Sequence, residues 1–183
     1  MKKLSCWINK IATTQLTVVF LAVILLFVTL ILPKENERAI REYGDVSPDT
    51  SFIYHGDDLL NMAETYGETG RLLYVQARMR FDIVFPLVYG GFLCLSISWL
   101  LQRLLSENSG WCVLNILPLG GVGFDLLENL FASVIMITYP EQIFWMLKVT
   151  PIITILKWLF VGGSFIVVFD LLVLYLIKKV KNK

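Results

Sequence analysis

The sequence predicts an all-α membrane protein: an antiparallel bundle of four transmembrane helices with a partly helical extracytoplasmic insertion between the first and second. Three observations lead there. The chain is 56% hydrophobic with a mean hydropathy of +0.68, too apolar for a water-soluble domain of 183 residues. Only 17% of residues are charged, and they cluster where a soluble surface would spread them. Four runs also meet the length that a hydrocarbon layer demands, roughly 20 apolar residues for about 30 Å.

The first run covers about 11–32 and stops at Pro33. It is too long for the apolar part of a signal peptide, and the Leu-Pro-Lys-Glu-Asn that follows has no small residues for cleavage. The others cover about 81–104, 111–138 and 151–177, the last opening on Pro151, a residue suited to a first helical turn. One domain, 1–183, accounts for all of it. Between the first two spans lies the long segment 33–80. Its part from Lys34 to Ser51 is polar, holds Gly44 and Pro48, and reads as a loop with room for a short helix. From Asp57 it reads as helix, with Asp57 or Asp58 as the cap of a run containing Leu59, Leu60, Met62 and Ala63. Gly67 and Gly70 interrupt that run, and 71–80 continues into the second span.

Orientation follows from basic residues in short flanks. Lys2, Lys3 and Lys10 precede the first span, Arg103 sits in the second turn, and Lys178, Lys179, Lys181 and Lys183 follow the fourth. An even number of spans puts these on one side, so both termini are expected in the cytoplasm, at the plasma (inner) membrane if the source is bacterial. The opposite segment holds six basic residues, but among nine acids over 48 positions. Long segments weigh little in this rule.

Charges inside a span cost about 2.5–3.5 kcal/mol each on insertion scales, so each calls for a reason. Asp125, Glu128 and Asn129 are spaced i, i+3, i+4 and share one face near the middle of the third span. They must face other helices or a water-filled cavity. Lys157 lies about 9 Å of helix rise from the outer end of the fourth span, and Glu128 roughly 15 Å down the antiparallel third. A lysine stem can bridge that difference to Glu128 or Asp125, or it can snorkel outward. A second stripe, Arg71, Tyr74, Arg78 and Asp82, runs along one face before the second span, and Phe85 and Tyr89 extend it inward. Pro86 should leave a carbonyl near Asp82 without its helical partner. The Gly-rich run from Pro118 to Gly123 is either a close helix contact or a break in the helix beside Asp125. Asp170 stands alone in the fourth span.

Other classes lack support in the residues. There is one histidine, His55, so a multi-histidine metal site is excluded and no metal or cofactor is expected. Cys6, Cys94 and Cys112 form no C-x-x-C, which removes the central motif of quinone-linked disulfide-forming membrane enzymes. A net charge of +1 without a basic stripe gives no footprint for nucleic acid. The expected partners are the bilayer itself and a lipid or small-molecule ligand, with oligomerisation left open. The leading function is therefore a membrane-embedded binding protein or carrier for a small polar or amphipathic ligand, its site opening outward. Arg71, Arg78 and Asp82 would stand at the mouth, with Asp125, Glu128, Asn129 and Lys157 deeper and Tyr74 and Tyr89 of the same stripe also binding the ligand. Two alternatives stand beside it. One is an enzyme using Asp125 and Glu128 as an acid–base pair on a lipid-like substrate. The other is a structural subunit whose polar cluster only fixes helix packing.

Overall fold

The computed structural model describes residues 1–44, 53–105 and 110–181. Every regular element among them is helical, and four helices are long and apolar enough to cross a membrane. In chain order the elements are α1 (Lys2–Ile11), α2 (Thr14–Leu26), a π turn (Phe27–Ile31), α3 (Leu32–Glu42), α4 (Gly56–Leu104), a 3₁₀ stretch (Gly110–Ile116), α5 (Leu117–Thr138) and α6 (Phe144–Lys181).

Helix α1 is absent from the sequence-based reading, and its presence moves the start of the first long helix from residue 11 to Thr14. Its Leu4, Ile8 and Ile11 recur at helical spacing, and Ser5 and Ile8 are buried. Ser5 Oγ donates to the Cys112 carbonyl at 2.8 Å, and Asn115 Nδ2 donates back to the Ser5 carbonyl at 3.0 Å. Helix α1 ends at Ile11, and Thr13 caps α2, its hydroxyl accepting from the Leu16 N–H at 3.2 Å.

Pro33 does not stop the helix, contrary to expectation. Proline lacks the N–H that a regular helix needs, but the first turn of a helix does not use it. The π turn lets α3 begin afresh: the Leu32 N–H reaches the Phe27 carbonyl, and Pro33 falls in the opening turn. The short helix for which the polar segment had room is α3, continuous with the first span, while Pro48 and its neighbours lie outside the described residues.

Helix α4 starts at Gly56, with Asp58 accepting from the His55 N–H at 2.8 Å as part of a capping box. It bends once, at Gly67 (φ 63°, ψ 179°); Gly70 stays helical. That backbone conformation is available essentially to glycine alone. A Cβ there would meet nothing within 4 Å, so strain and not crowding sets the effect of substitution. Gly67→Ala is expected to destabilise by about 1–3 kcal/mol. Gly123→Ala, in the regular part of α5 with equal space, should be neutral or mildly stabilising. Thermal unfolding in detergent compares the two, and equal shifts would mean that the bend at Gly67 is not strained.

Helix α5 proper begins at Leu117, after the 3₁₀ stretch, and α6 begins at Phe144, so Pro151 sits inside it instead of opening it. The Thr150 hydroxyl bonds the Met146 carbonyl at 2.7 Å beside that proline. The Gly-rich run is unbroken helix. Gly120 lies against Phe160 and Gly121 against Val161, so these glycines let α5 and α6 approach closely.

Helices α4, α5 and α6 pack on one another along their lengths, whereas α2 leans chiefly on α4. One end of the bundle gathers α1, Arg103, the 3₁₀ stretch and Lys178, whose ammonium donates to the Arg103 carbonyl at 2.8 Å. At the other end, Tyr54, Leu59, Met62 and Tyr74 form a core with Met136 and Leu147. Asp170 is exposed on α6 next to Phe169 and Ile166, away from the other acids.

Candidate functional site

The polar residues of α4, α5 and α6 meet where these helices cross, and they divide into a sealed half and a half that borders a cavity. The sealed half centres on Glu128, 1% exposed. Lys157 Nζ approaches its Oε2 at 2.5 Å, and the Thr154 hydroxyl donates to its Oε1 at 2.8 Å. Lys157 therefore points inward to an ion pair and does not snorkel. Tyr54, just before α4, bonds the Thr154 hydroxyl at 2.8 Å. Because Thr154 gives its one proton to Glu128, Tyr54 is the donor in that pair. Burial raises the Tyr54 phenol above its ordinary pKa, and the negative Glu128 nearby adds to the effect, so it keeps the proton it donates.

The other half centres on Asp125. Tyr89 donates its hydroxyl to Oδ2 at 2.8 Å, and Asn129 Nδ2 donates to Oδ1 at 3.1 Å. Lys157 Nζ is 3.9 Å from that Oδ1, so one ammonium faces two carboxylates. Asn129 Nδ2 also reaches the Asp82 carbonyl at 3.3 Å. This is the carbonyl that would bond to residue 86 in a regular helix, and residue 86 is proline. The gap that Pro86 opens in α4 is thus met by a side chain of α5. Asp82 itself pairs with Arg78, NH1 to Oδ2 at 2.7 Å, and the Arg78 guanidinium lies 4.4 Å above the Tyr74 ring.

A cavity of about 690 Å³ opens beside this cluster. Its walls are Ile24, Val28 and Leu32 from α2 to α3, Phe81 and Phe85 from α4, and Trp158, Val161 and Phe165 from α6. Asn36 contributes a polar side chain to the lining. The other polar residues of the wall are Asp82, Tyr89, Asp125 and Lys157. The cavity exists because α2 and α3 rest on α4 and leave the side toward α6 open. Of the nine residues singled out from the sequence, those four border the cavity. Tyr74, Arg78, Glu128 and Asn129 are buried outside its lining. Arg71 lies apart, bridging the bend in α4 by donating to the Ala63 carbonyl at 3.0 Å, with its guanidinium over Tyr139.

Sequence reasoning did not find Tyr54 or Thr154. Thr154 carries a usable signal, since Thr150, Thr154 and Lys157 follow helical spacing on one face of α6. Tyr54 carries none, because it arrives from outside any helix. Groups of histidine, cysteine and acid residues able to hold a metal ion are absent among the described residues.

Fold and site together define a helical bundle of the polytopic membrane type, with a mostly apolar cavity that carries a few charged groups between its helices. No family model, curated protein or solved structure matches the chain, so its function has to be argued from this geometry.

Proposed function

We propose that the protein is a multi-pass membrane protein that binds an amphipathic ligand in the cavity between α2–α3 and α6. The observation that carries this reading is the cavity's composition: apolar side chains on most of its wall, five polar ones on the remainder. Ligand sites have this form, a mostly apolar lining with a few placed polar groups. A small, wholly polar ligand would leave the apolar wall facing water, so the amphipathic member of the two expected classes fits better. Within the membrane the gap between α2 and α6 would admit a chain sideways.

The sealed pair supports a different role for the rest of the cluster. Glu128, Lys157 and Thr154 are closed against one another, and helix packing is role enough for Glu128. In this reading Asp125, Tyr89 and Asp82 meet the ligand, and Lys157 joins the two halves. The crowding of Lys2, Lys3, Lys10, Arg103 and Lys178 at one end supports a cytoplasmic position for both termini. The cavity then extends toward the outer side, where α3 and Asn36 lie. A reporter fused after Lys183 should read as cytoplasmic and one inserted near Ser47 as external; the reverse pattern would overturn the orientation.

The binding reading is tested with a photoactivatable diazirine amphiphile in bilayers. Labelling of Val28, Phe81 and Phe85 should saturate and be competed by unlabelled amphiphile. Labelling of Leu159 and Phe169, exposed on α6 and absent from the cavity wall, should rise without saturating. Uniform, unsaturable labelling of all five would sink the proposal.

A further inference from the structure

We infer that the amphiphile bound in this cavity carries a positively charged head group, an amine or quaternary ammonium; this rests on the binding reading above. The first support is a charge count. Among the described residues, the cluster holds three carboxylates, Asp82, Asp125 and Glu128, against two cations, Arg78 and Lys157. Whatever the pairing within it, full ionisation leaves one negative charge in surplus.

Position decides where that surplus is felt. Arg78 is buried, 4% exposed, and is not part of the cavity wall. Lys157 borders the cavity but holds its ammonium 2.5 Å from Glu128, on the sealed side. Asp82 and Asp125 stand in the wall with side chains 16% and 14% exposed. Arg78 and Lys157 are thus drawn into ion pairs, while Asp82 and Asp125 border the space. An anion entering here would meet carboxylates first.

The second support is independent of charge. Aromatic rings form a ladder along α4 that leads to Asp125. Phe81 stacks on Phe85 at 5.5 Å, Phe85 meets Tyr89 edge-on at 5.6 Å, and Tyr89 bonds Asp125. Phe27 adds a ring at 6.1 Å from both phenylalanines. Ring faces attract cations through their quadrupoles, and more strongly where water is excluded. Aromatic rings are the usual surroundings of a bound quaternary ammonium, and here they lead to a carboxylate.

The test compares three probes with the same alkyl chain, dodecyltrimethylammonium, dodecyl phosphate and dodecyl maltoside, binding to the full-length protein in nanodiscs. Val28→Trp, which fills the cavity from a half-exposed position, serves as the reference for specific binding. The ammonium probe should bind about tenfold or more tighter than the other two. Asp125→Asn, which keeps the side chain's shape, should remove most of that advantage. Asp82→Asn should weaken the ammonium probe in the same direction, and it supplies the readout if Asp125→Asn does not fold. Equal affinities, a preference for phosphate, or an ammonium preference that survives both substitutions would overturn the inference while leaving the cavity's role intact. Binding of all three that Val28→Trp does not reduce would instead overturn the binding reading, and the inference with it.

Discussion

Lys157→Met is expected to destabilise the protein by about 3–5 kcal/mol, the usual effect of removing one member of a buried ion pair. Glu128 would be left charged at 1% exposure, with the Thr154 hydroxyl on one oxygen. Glu128→Gln should cost less, because the stranded ammonium still has Asp125 at 3.9 Å. The double change should recover much of the loss, since an uncharged pair of similar shape leaves no unmatched charge in the contact. Thermal and denaturant unfolding of the four proteins in one detergent measure the cycle. Additive single effects would mean that Lys157 and Glu128 do not act as a pair, and the sealed half of the cluster would lose its structural role.

Arg78→Ala is the second large effect, and the chain supplies its own control. Arg78–Asp82 and Arg38–Glu42 are both i, i+4 ion pairs with a 2.7 Å contact. Geometry along the helix is the same; burial is not. The Arg78 side chain is 4% exposed and that of Arg38 is 38%. Truncating Arg78 leaves Asp82 charged in the cavity wall and empties the space above Tyr74, a loss of roughly 3–5 kcal/mol. Arg38→Ala should leave the melting temperature within error, since solvent already screens that pair. Comparable shifts in the two variants would mean that burial does not govern the strength of these pairs.

How far the sequence reaches can be judged from particular residues. Hydropathy and length suffice for the four long helices because a lipid-facing helix must be apolar all round, a signal that tertiary context cannot hide. Helix ends were less legible. Pro33 and Pro151 read as boundaries, yet a π turn precedes the first and the second lies inside an unbroken helix. Spacing alone placed Asp125, Glu128 and Asn129 together, and the missing N–H of Pro86 pointed to the Asp82 carbonyl that Asn129 meets. What spacing could not give is which side of a shared face opens on space. Asp125 and Glu128 lie three residues apart on α5, yet one borders the cavity and the other is sealed. The difference is set by α2 leaning on α4 and leaving α6 uncovered, a packing choice with no single-residue signature.

The central claim, that the cavity holds an amphiphile, is tested most directly by native mass spectrometry of the intact protein released gently from detergent. The wild type is expected to carry one non-covalent adduct in the mass range of a lipid or lipid-like molecule, and Val28→Trp, folded by its unfolding curve, to lack it. A wild type without adduct under conditions that preserve lipid binding, or a Val28→Trp variant that keeps the same adduct, would contradict the account.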